Sequence, residues 1–580
     1  MNQATTLHDI IKFMVNFGEI KTKVRGEVET DQATLVKYSR DASIFEIVPK
    51  CVVHPKDTED LKSLVKWVAE NKSRDPNLSI TARSAGTDMG GGAINDSIIA
   101  DFTAHFNKIE MFGTTGQNPH PSAFGGHLPP EGEGGTAVVE PGVYYRDFEV
   151  ESLKRGLLLP CYTASKSLNT LGGMIANNSA GEKSLAYGQT KDYVEELHVV
   201  LSDGNQYVFE ELNNYQLEQK LKLPGFEGEI YRQMFRLVKG NYDLIKNAKP
   251  TTSKNSAGYL LWEVWNKNTF NLAKLITGSQ GTLGLVTKIK IRLVRPKPKS
   301  ELLVIFLKDL TNLGQIVNCV AGYKPESFES FDDHTFKLAM KFLPDMIKRM
   351  KGNLITLGWE FIPEMWMTLT GGVPKLILIA EFTGDSQEEI YQKLLLVQKE
   401  VQARFRLKTH IAKSAAEAQK YWVVRRESFN LLRQHTHGLS TAPFIDDIIV
   451  HPDQLPKFLP ELNAILAGYP SLIYTIAGHA GDANFHIIPL MDLTKADQRM
   501  IIPKLAGLVY DLVLKYKGSI TAEHNDGLIR SPYLEKMYGP QITALFRQAK
   551  EIFDPQNIFN PRKKVGSSLE YAMEHIKKTL

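Results

Sequence analysis

The 580-residue chain has only three cysteines, Cys51, Cys161 and Cys319, far apart and never in a CxxC pair. A disulfide framework and an iron–sulfur cluster built within the chain are thereby excluded, so any onward electron carrier has to come from outside. No apolar run approaches the ~20 residues that span a bilayer. The N-terminal MNQATTLHDIIKFMV carries Asp9 among its apolar residues and no small-residue cleavage site. A cytoplasmic protein is expected, with peripheral contact at the inner membrane face left open. Excess charge of one sign is also missing. Lys and Arg exceed Asp and Glu by only four, spread along the chain, and nucleic-acid binding gets no electrostatic support.

What is present is an ordinary globular composition, 43% hydrophobic and 23% charged, in a chain too long for one core. Two large domains, or two with a returning segment, are expected. Residues 1–45 read as one or two helices. Cys51 to His54 reads as a strand stopped by Pro55, and Asp57 or Thr58 caps a helix whose apolar face is Leu61, Leu64, Val65 and Val68. Residues 113–135 are crowded with Gly, Pro, His, Asn and Ser and read as a surface insertion. Arg295-Pro296-Lys297-Pro298-Lys299 is the expected domain boundary. Beyond it, 301–307 and 375–382 read as strands, each followed by a helix. The helix at 310–322 precedes one that starts with a capping box, Ser386 and Glu389, and carries a stripe of Ile390, Leu394, Val397, Val401 and Phe405. Two strand–helix pairs suggest a separate α+β layer.

Three glycine-rich segments stand out: SITARSAGTDMGGGA, TLGGMIANNSAGEKSLAYG and TGSQGTLGLVT. One such loop is weak evidence, because turns and close packing also consume glycine. Unshielded backbone N–H groups, as from Arg83 to Gly92, are what a pyrophosphate requires. The first segment is neither a P-loop nor a Rossmann turn, since it lacks Gly-Lys-Ser/Thr and a strand follows it. It resembles the phosphate loop of the vanillyl-alcohol-oxidase-like flavoproteins, through Arg83, Gly86, Thr87, Gly91, Gly92 and Ala93, with Ser84 and Ala85 in place of two glycines. The second resembles the same family's stretch through Thr170, Gly172, Gly173, Asn178 and Gly181, followed by Tyr187-Gly188. The third resembles its Gly-Ser-Glu-Gly-Thr-Leu-Gly, with Gln280 at the acidic position before Gly281.

The C-terminal part carries GHAGDANFH and AEHNDG. His479 and His486 are seven residues apart, which a strand, a turn and a returning strand would bring together, and a nearby carboxylate would make a set suited to a divalent cation such as zinc. Taken alone, each His is better read as a satisfied core residue. The order of the motifs from about Tyr38 to Pro561 resembles the FAD-linked oxidases, the branch of D-lactate and D-2-hydroxyglutarate dehydrogenases and the glycolate oxidase flavin subunit.

That resemblance implies a two-lobed FAD-binding domain of the vanillyl-alcohol-oxidase type at 46–296. An α+β substrate or cap domain follows at 300–520, and 521–580 supplies an active-site segment and then returns to the first domain. It implies FAD held non-covalently, there being no His or Cys in the first loop, by Arg83, Ser84, Gly86, Thr87, Asp88, Gly91, Thr170, Gly172, Gly173, Asn178, Gly181, Gly188, Gln280, Gly281 and Asn560. It makes His479, His486 and Glu523 metal ligands, His524 the base and Arg425, from Trp422-Val423-Val424-Arg425, the binder of a substrate carboxylate. Arg426 is read as an ordinary surface arginine, and Asp526, where relatives have an apolar residue, as a charge acting on His524. Ile487-Ile488 favours a short substrate. The implied activity is oxidation of a small (D-)2-hydroxy acid such as lactate, with hydride transfer to flavin N5 and electrons passed to a quinone, a cytochrome or an electron-transfer flavoprotein. The alternatives are an FAD-dependent oxidase of another alcohol or sugar, and a non-catalytic flavin electron-transfer subunit.

Overall fold

The computed structural model describes residues 15–114, 134–333, 336, 374–435 and 438–579. Most of the insertion read at 113–135, and residues 1–14 of the N-terminal segment, lie outside them.

The first of three sheets has the strand order Glu27–Glu29, Cys51–His54, Ile98–Asp101, Ile80–Arg83. Its last three strands are parallel. Val52, Val53, Ile98, Ile99 and Ala100 are all fully buried, as expected where a parallel sheet is covered on both faces. One cover is the helix Thr58–Asn71, capped by Asp57, which buries Leu61, Leu64, Val65 and Val68. The strand Ile80–Arg83 runs straight into the first glycine-rich loop, so the loop leaves the sheet at the carboxyl end of a parallel strand.

The second sheet is antiparallel: Ile109–Thr114, Gly134–Val139, Leu285–Val294, Val194–Val200, Gln206–Asn213, Thr269–Asn271. Residues of its long central strand alternate between buried and half-buried. The second glycine-rich segment opens a short helix, Leu171–Asn177, whose cap Thr170 accepts the Gly173 N–H at 3.2 Å.

The third sheet starts at Lys299, directly after the Pro-rich boundary, and runs Lys408–Ile411, Lys299–Leu307, Leu376–Gly384, Ser327–Asp332, Ile473–His479, Asn484–Met491, Ser440–Thr441. Side chains of one strand divide between two cores. Leu303, Ile305 and Leu307 meet the helices Leu313–Ala321 and Gln387–Phe405, whereas Leu302, Val304 and Phe306 meet Tyr421, Trp422 and Val424 of the helix Ala415–His435. The apolar run is therefore covered on both faces. Ser386 caps its helix by accepting the Glu389 N–H at 3.4 Å, one half of the expected box.

The chain then returns. The helix Leu534–Phe553 buries Leu545, Phe546, Ala549 and Phe553 in the core of the second sheet, and Phe559 bridges Ile80 beside the first loop. Lys550 secures the turn by donating to Thr282 O and Phe559 O, both at 2.7 Å.

Candidate active site

One cavity of about 690 Å³ is lined by all three glycine-rich segments and by the C-terminal His and Glu residues. The first loop contributes Ser84, Gly86, Thr87 and Asp88, the second segment Thr170, Gly172 and Gly173, and the third Gln280 and Gly281. Arg425, His479, His486, Glu523 and His524 line the same space. Its size suits a cofactor-sized ligand.

The loops are stitched together by side chains. Asp88 Oδ1 accepts from Gly90 N at 2.6 Å and Gly92 N at 3.0 Å, and its Oδ2 accepts from Asn177 Nδ2 at 3.0 Å and Gln280 Nε2 at 3.1 Å. Gln280, with a φ of 53°, also accepts the Gly527 N–H at 2.9 Å, so the residue at the family's acidic position joins the first loop to the C-terminal segment. Among the described residues no protein acceptor takes the backbone N–H of Ser84, Ala85, Gly86 or Thr87. A run of such N–H groups on a cavity wall fits a pyrophosphate.

Six residues expected at the cofactor stand behind this wall. Arg83 donates to Arg40 O at 2.8 Å and braces the loop from below. Asn560 Nδ2 donates to Gly92 O at 2.9 Å and Gln280 O at 2.7 Å, tying first and third segments. Asn178 takes a φ of 51° and accepts from Lys191 N at 2.9 Å. Gly91 (φ 84°) packs on Phe45, Gly188 (φ 76°) on Asp192, and a Cβ on Gly181 would lie 2.0 Å from Tyr162 O. Their work is to shape the loops.

The histidines converge on one carboxylate oxygen. His479 closes the strand Ile473–His479, a single 3₁₀ turn follows, and His486 lies on the returning strand, so hairpin register brings the pair together. Glu523 Oε1 is 3.0 Å from His479 Nε2, 3.3 Å from His486 Nε2 and 3.9 Å from His524 Nε2. The opposite ring nitrogens of His486 and His524 both lie 2.9 Å from Asp446, and the two rings stack with centroids 5.0 Å apart. Lys254, from the first domain and 1% exposed, lies 3.2 Å from Glu523 Oε2 and 3.3 Å from Asp482 Oδ2.

Burial alone would raise the Glu523 carboxyl, but Lys254 and His479 hold it well below the ordinary carboxylate range. Burial likewise opposes a charge on the imidazoles. Asp446 nevertheless raises His486 to about 10, Glu329 raises His479, and Asp446 with Asp447 raises His524. The imidazoles around Glu523 thus have a raised proton affinity, protons on such nitrogens are what a divalent cation displaces on binding, and the imidazole and carboxylate ligand atoms fit such an ion. Asp447, His486, Glu523 and His524 each offer a ligand atom within 4.8 Å of the others, and His479 stands outside that group although it faces the same oxygen. Asp447 uses Oδ2 to accept from Thr521 Oγ1, Glu523 N and His524 N at 2.6–2.9 Å, and so shapes the segment that carries the site.

Arg425 lies 3.1 Å from Glu329 Oε2. Arg426 is no ordinary surface arginine. It pairs through two nitrogens with the buried Glu182, which also accepts from Tyr162 Oη at 3.0 Å. The reading of Asp526 is corrected as well. Its Oδ2 is 2.8 Å from both Lys564 Nζ and Gly258 N, all buried, so its charge is met by Lys564, while His524 faces Asp446 and Asp447 instead. Asn525, at a φ of 67°, fills a left-handed position and donates to Gly278 O at 2.9 Å. Of Ile487 and Ile488, the first is core and the second lines the cavity with Thr475 and Ala477.

Glu329, Lys254, Asp446 and Asp447 belong to the site as well and lie outside the motifs that the sequence shows. The signal for the aspartates was present in Phe444-Ile445-Asp446-Asp447-Ile448-Ile449, an acidic pair inside an apolar run, where a buried charge demands partners. Among the described residues no helix is long and apolar enough to cross a membrane.

Two family profiles match the chain in order: an FAD binding domain over residues 49–210 and the C-terminal domain of FAD linked oxidases over 297–564. A D-2-hydroxyglutarate dehydrogenase of Pseudomonas putida is 28% identical over 544 residues, covering 93% of this chain and 50% of the relative. A D-lactate dehydrogenase of Anaerostipes hadrus is 24% identical over 518 residues, covering 89% of each. The chain spans about half the length of the first curated relatives it matches. In fold it is similar to a 4-ethylphenol oxidase of Gulosibacter chungangensis, with a TM-score of 0.65 at 12% identity over 98% of this chain and 99% of that one. The architecture is that of the vanillyl-alcohol-oxidase type, with an α+β cap layer added to the FAD-binding lobes.

Proposed function

We propose that this chain, which belongs to the FAD-linked oxidases, is an FAD-dependent dehydrogenase of a small 2-hydroxy acid. The observation that carries the reading is the single cavity lined by both the glycine-rich segments and the Arg, His and Glu residues. Non-covalent FAD along Ser84, Gly86, Thr87, Thr170 and Gly173 supplies the hydride acceptor, since the protein's own side chains cannot take a hydride. A divalent cation such as zinc on His479, His486 and Glu523 supplies Lewis acidity at the substrate hydroxyl.

The chain's residues bind, orient and move a proton. Arg425 receives the substrate carboxylate, because a guanidinium offers paired N–H groups in the plane a carboxylate needs. Neutral His524 takes the hydroxyl proton at Nε2, and Asp446, 2.9 Å from its Nδ1 and a cause of its raised proton affinity, favours the imidazolium so formed. Lys254 holds Glu523 Oε2 and so turns Oε1 toward the imidazoles. Ile488, Thr475 and Ala477 give the substrate side chain a mostly apolar neighbourhood, which favours a short acid such as lactate. The product is a 2-oxo acid, and the electrons leave to an external acceptor.

The test is anaerobic addition of D-lactate, D-2-hydroxyglutarate and other 2-hydroxy acids to the flavin-loaded protein. Bleaching of the flavin absorbance and appearance of the 2-oxo acid are expected. A flavin that stays oxidised across the panel, yet bleaches with a simple alcohol or sugar, would move the assignment to the alternative oxidase.

A further inference from the structure

Glu329 holds two parts of the site at once. It lies on the strand Ser327–Asp332 and is 1% exposed. Its Oε1 is 2.6 Å from His479 Nδ1, and its Oε2 is 3.1 Å from both Nε and Nη2 of Arg425. Sheet register explains the reach toward the histidine. The next residue, Ser330, pairs with Gly478 on the neighbouring strand, which places His479 beside Glu329. The arginine comes from the helix Ala415–His435, which covers the face of the sheet on which Glu329 and Phe331 both stand.

A carboxylate on Nδ1 keeps a ring proton there and fixes the direction of Nε2. Nε2 points at Glu523 Oε1, 3.0 Å away, and a cation bound between the two would take the place of the Nε2 proton. The same carboxylate engages one edge of the Arg425 guanidinium and fixes the plane of the fork. The imidazole and the guanidinium therefore cannot turn independently, since each is held by one end of a single rigid group. A buried carboxylate needs only one cationic partner to offset its burial. This one spans two groups with separate tasks.

We propose that Glu329 is a positioning residue that ties recognition of the substrate carboxylate to activation of its hydroxyl, by setting Arg425 and His479 as one unit. The inference rests on the functional reading above. Its probes are zinc and oxamate, a carboxylate that cannot be dehydrogenated, on the flavin-loaded protein. Zinc retention is measured by competition with a chelator, and oxamate binding by the shift it causes in the flavin spectrum.

Glu329→Gln is expected to keep its flavin and to weaken both zinc and oxamate by about 10- to 100-fold, because an amide accepts at one end only and its NH2 would face the donor at the other. Arg425→Met is expected to weaken oxamate alone. Adding it to Glu329→Gln is expected to cost less than the sum of the two single losses, as coupled residues do and independent ones do not. A folded Glu329→Gln protein that keeps either ligand within about twofold, or a strictly additive double variant, overturns the coupling. Should Glu329→Gln lose its flavin, Glu329→Asp, which keeps the charge but is one methylene short of spanning both partners, is judged by the same two losses. A wild-type protein that binds neither zinc nor oxamate removes the functional reading and the coupling together, and is thereby distinguished from failure of the coupling alone.

Discussion

Lys254 Nζ and Glu523 Oε2 lie 3.2 Å apart although 269 residues separate them in sequence. Lys254 belongs to the stretch before Gly258 in the first domain and Glu523 to the segment that leaves the cap sheet, so the contact closes the two domains over the site. It also divides the labour of one carboxylate, with Oε2 on the lysine and Oε1 on the histidines. Lys254→Met would leave Glu523 and Asp482 buried without their cation. Loss of one partner of a buried pair costs about 3–5 kcal/mol. A lower melting temperature and loss of turnover are expected, with Lys254→Arg recovering part of both. An unchanged melting temperature for Lys254→Met would show that the pair does not hold the domains.

The two histidines that stack on each other should fail differently. His486→Ala is expected to lose bound metal and turnover while retaining FAD, since its ion-pair partners are Asp446 and Glu523 and not the glycine-rich segments. His524→Ala is expected to keep metal and flavin but slow flavin reduction by about 10² to 10⁴, the usual effect of removing a general base. Elemental analysis and stopped-flow reduction separate the two phenotypes. If neither preparation nor the wild type holds metal, and a chelator leaves turnover untouched, His524 and Arg425 act without a cation.

Arg425→Ala should mainly raise KM for the hydroxy acid, with Arg425→Lys only a partial rescue, because an ammonium is a point charge and cannot reproduce the planar fork that also meets Glu329. Steady-state assays of wild type and both variants with a dye acceptor would check this. A lysine variant equal to wild type would place the carboxylate elsewhere.

Much of this layout is legible in the sequence where the controlling interactions are local. Asp57 capping the helix Thr58–Asn71, and the hairpin that brings His479 to His486, both follow from spacing within a few residues. Two strand–helix pairs after the Pro-rich boundary likewise announce the cap layer. The partners of buried charges are a different matter. Glu329 finds His479 through 150 residues of intervening chain, and Asp526 finds Lys564 rather than His524 because the returning segment folds beneath the site. Arg426 reads as a surface residue because one helix gives no sign that Glu182 of the other domain lies opposite. Gly91, Gly181 and Gly188, expected at the cofactor, sit in close packing instead of on the cavity wall, and residue type alone does not separate the two uses of glycine.

The returning segment also carries a charge that the fold resists. Lys563 is 1% exposed and donates to Ile94 O at 2.8 Å, just beyond the first glycine-rich loop. Burial, reinforced by Arg562, lowers its ammonium to about 7. An unfolded lysine titrates near ~10.4. Between about pH 10 and 7 the unfolded chain therefore takes up a proton that the folded protein does not, and stability falls as the pH is lowered through that window. Each pH unit is worth about 1.4 kcal/mol from this group, and the loss levels off below the folded value. Lys563→Met removes the titration at the cost of an unpaired carbonyl, about 1–3 kcal/mol. Urea unfolding of flavin-saturated protein at pH 7, 8 and 9 is expected to give a rising stability for wild type and a flatter profile for Lys563→Met, with the two furthest apart at pH 7, where the variant is the more stable. Equal slopes for the two proteins would mean that Lys563 stays charged in the folded state and that a group near the flavin loop supplies its counter-charge.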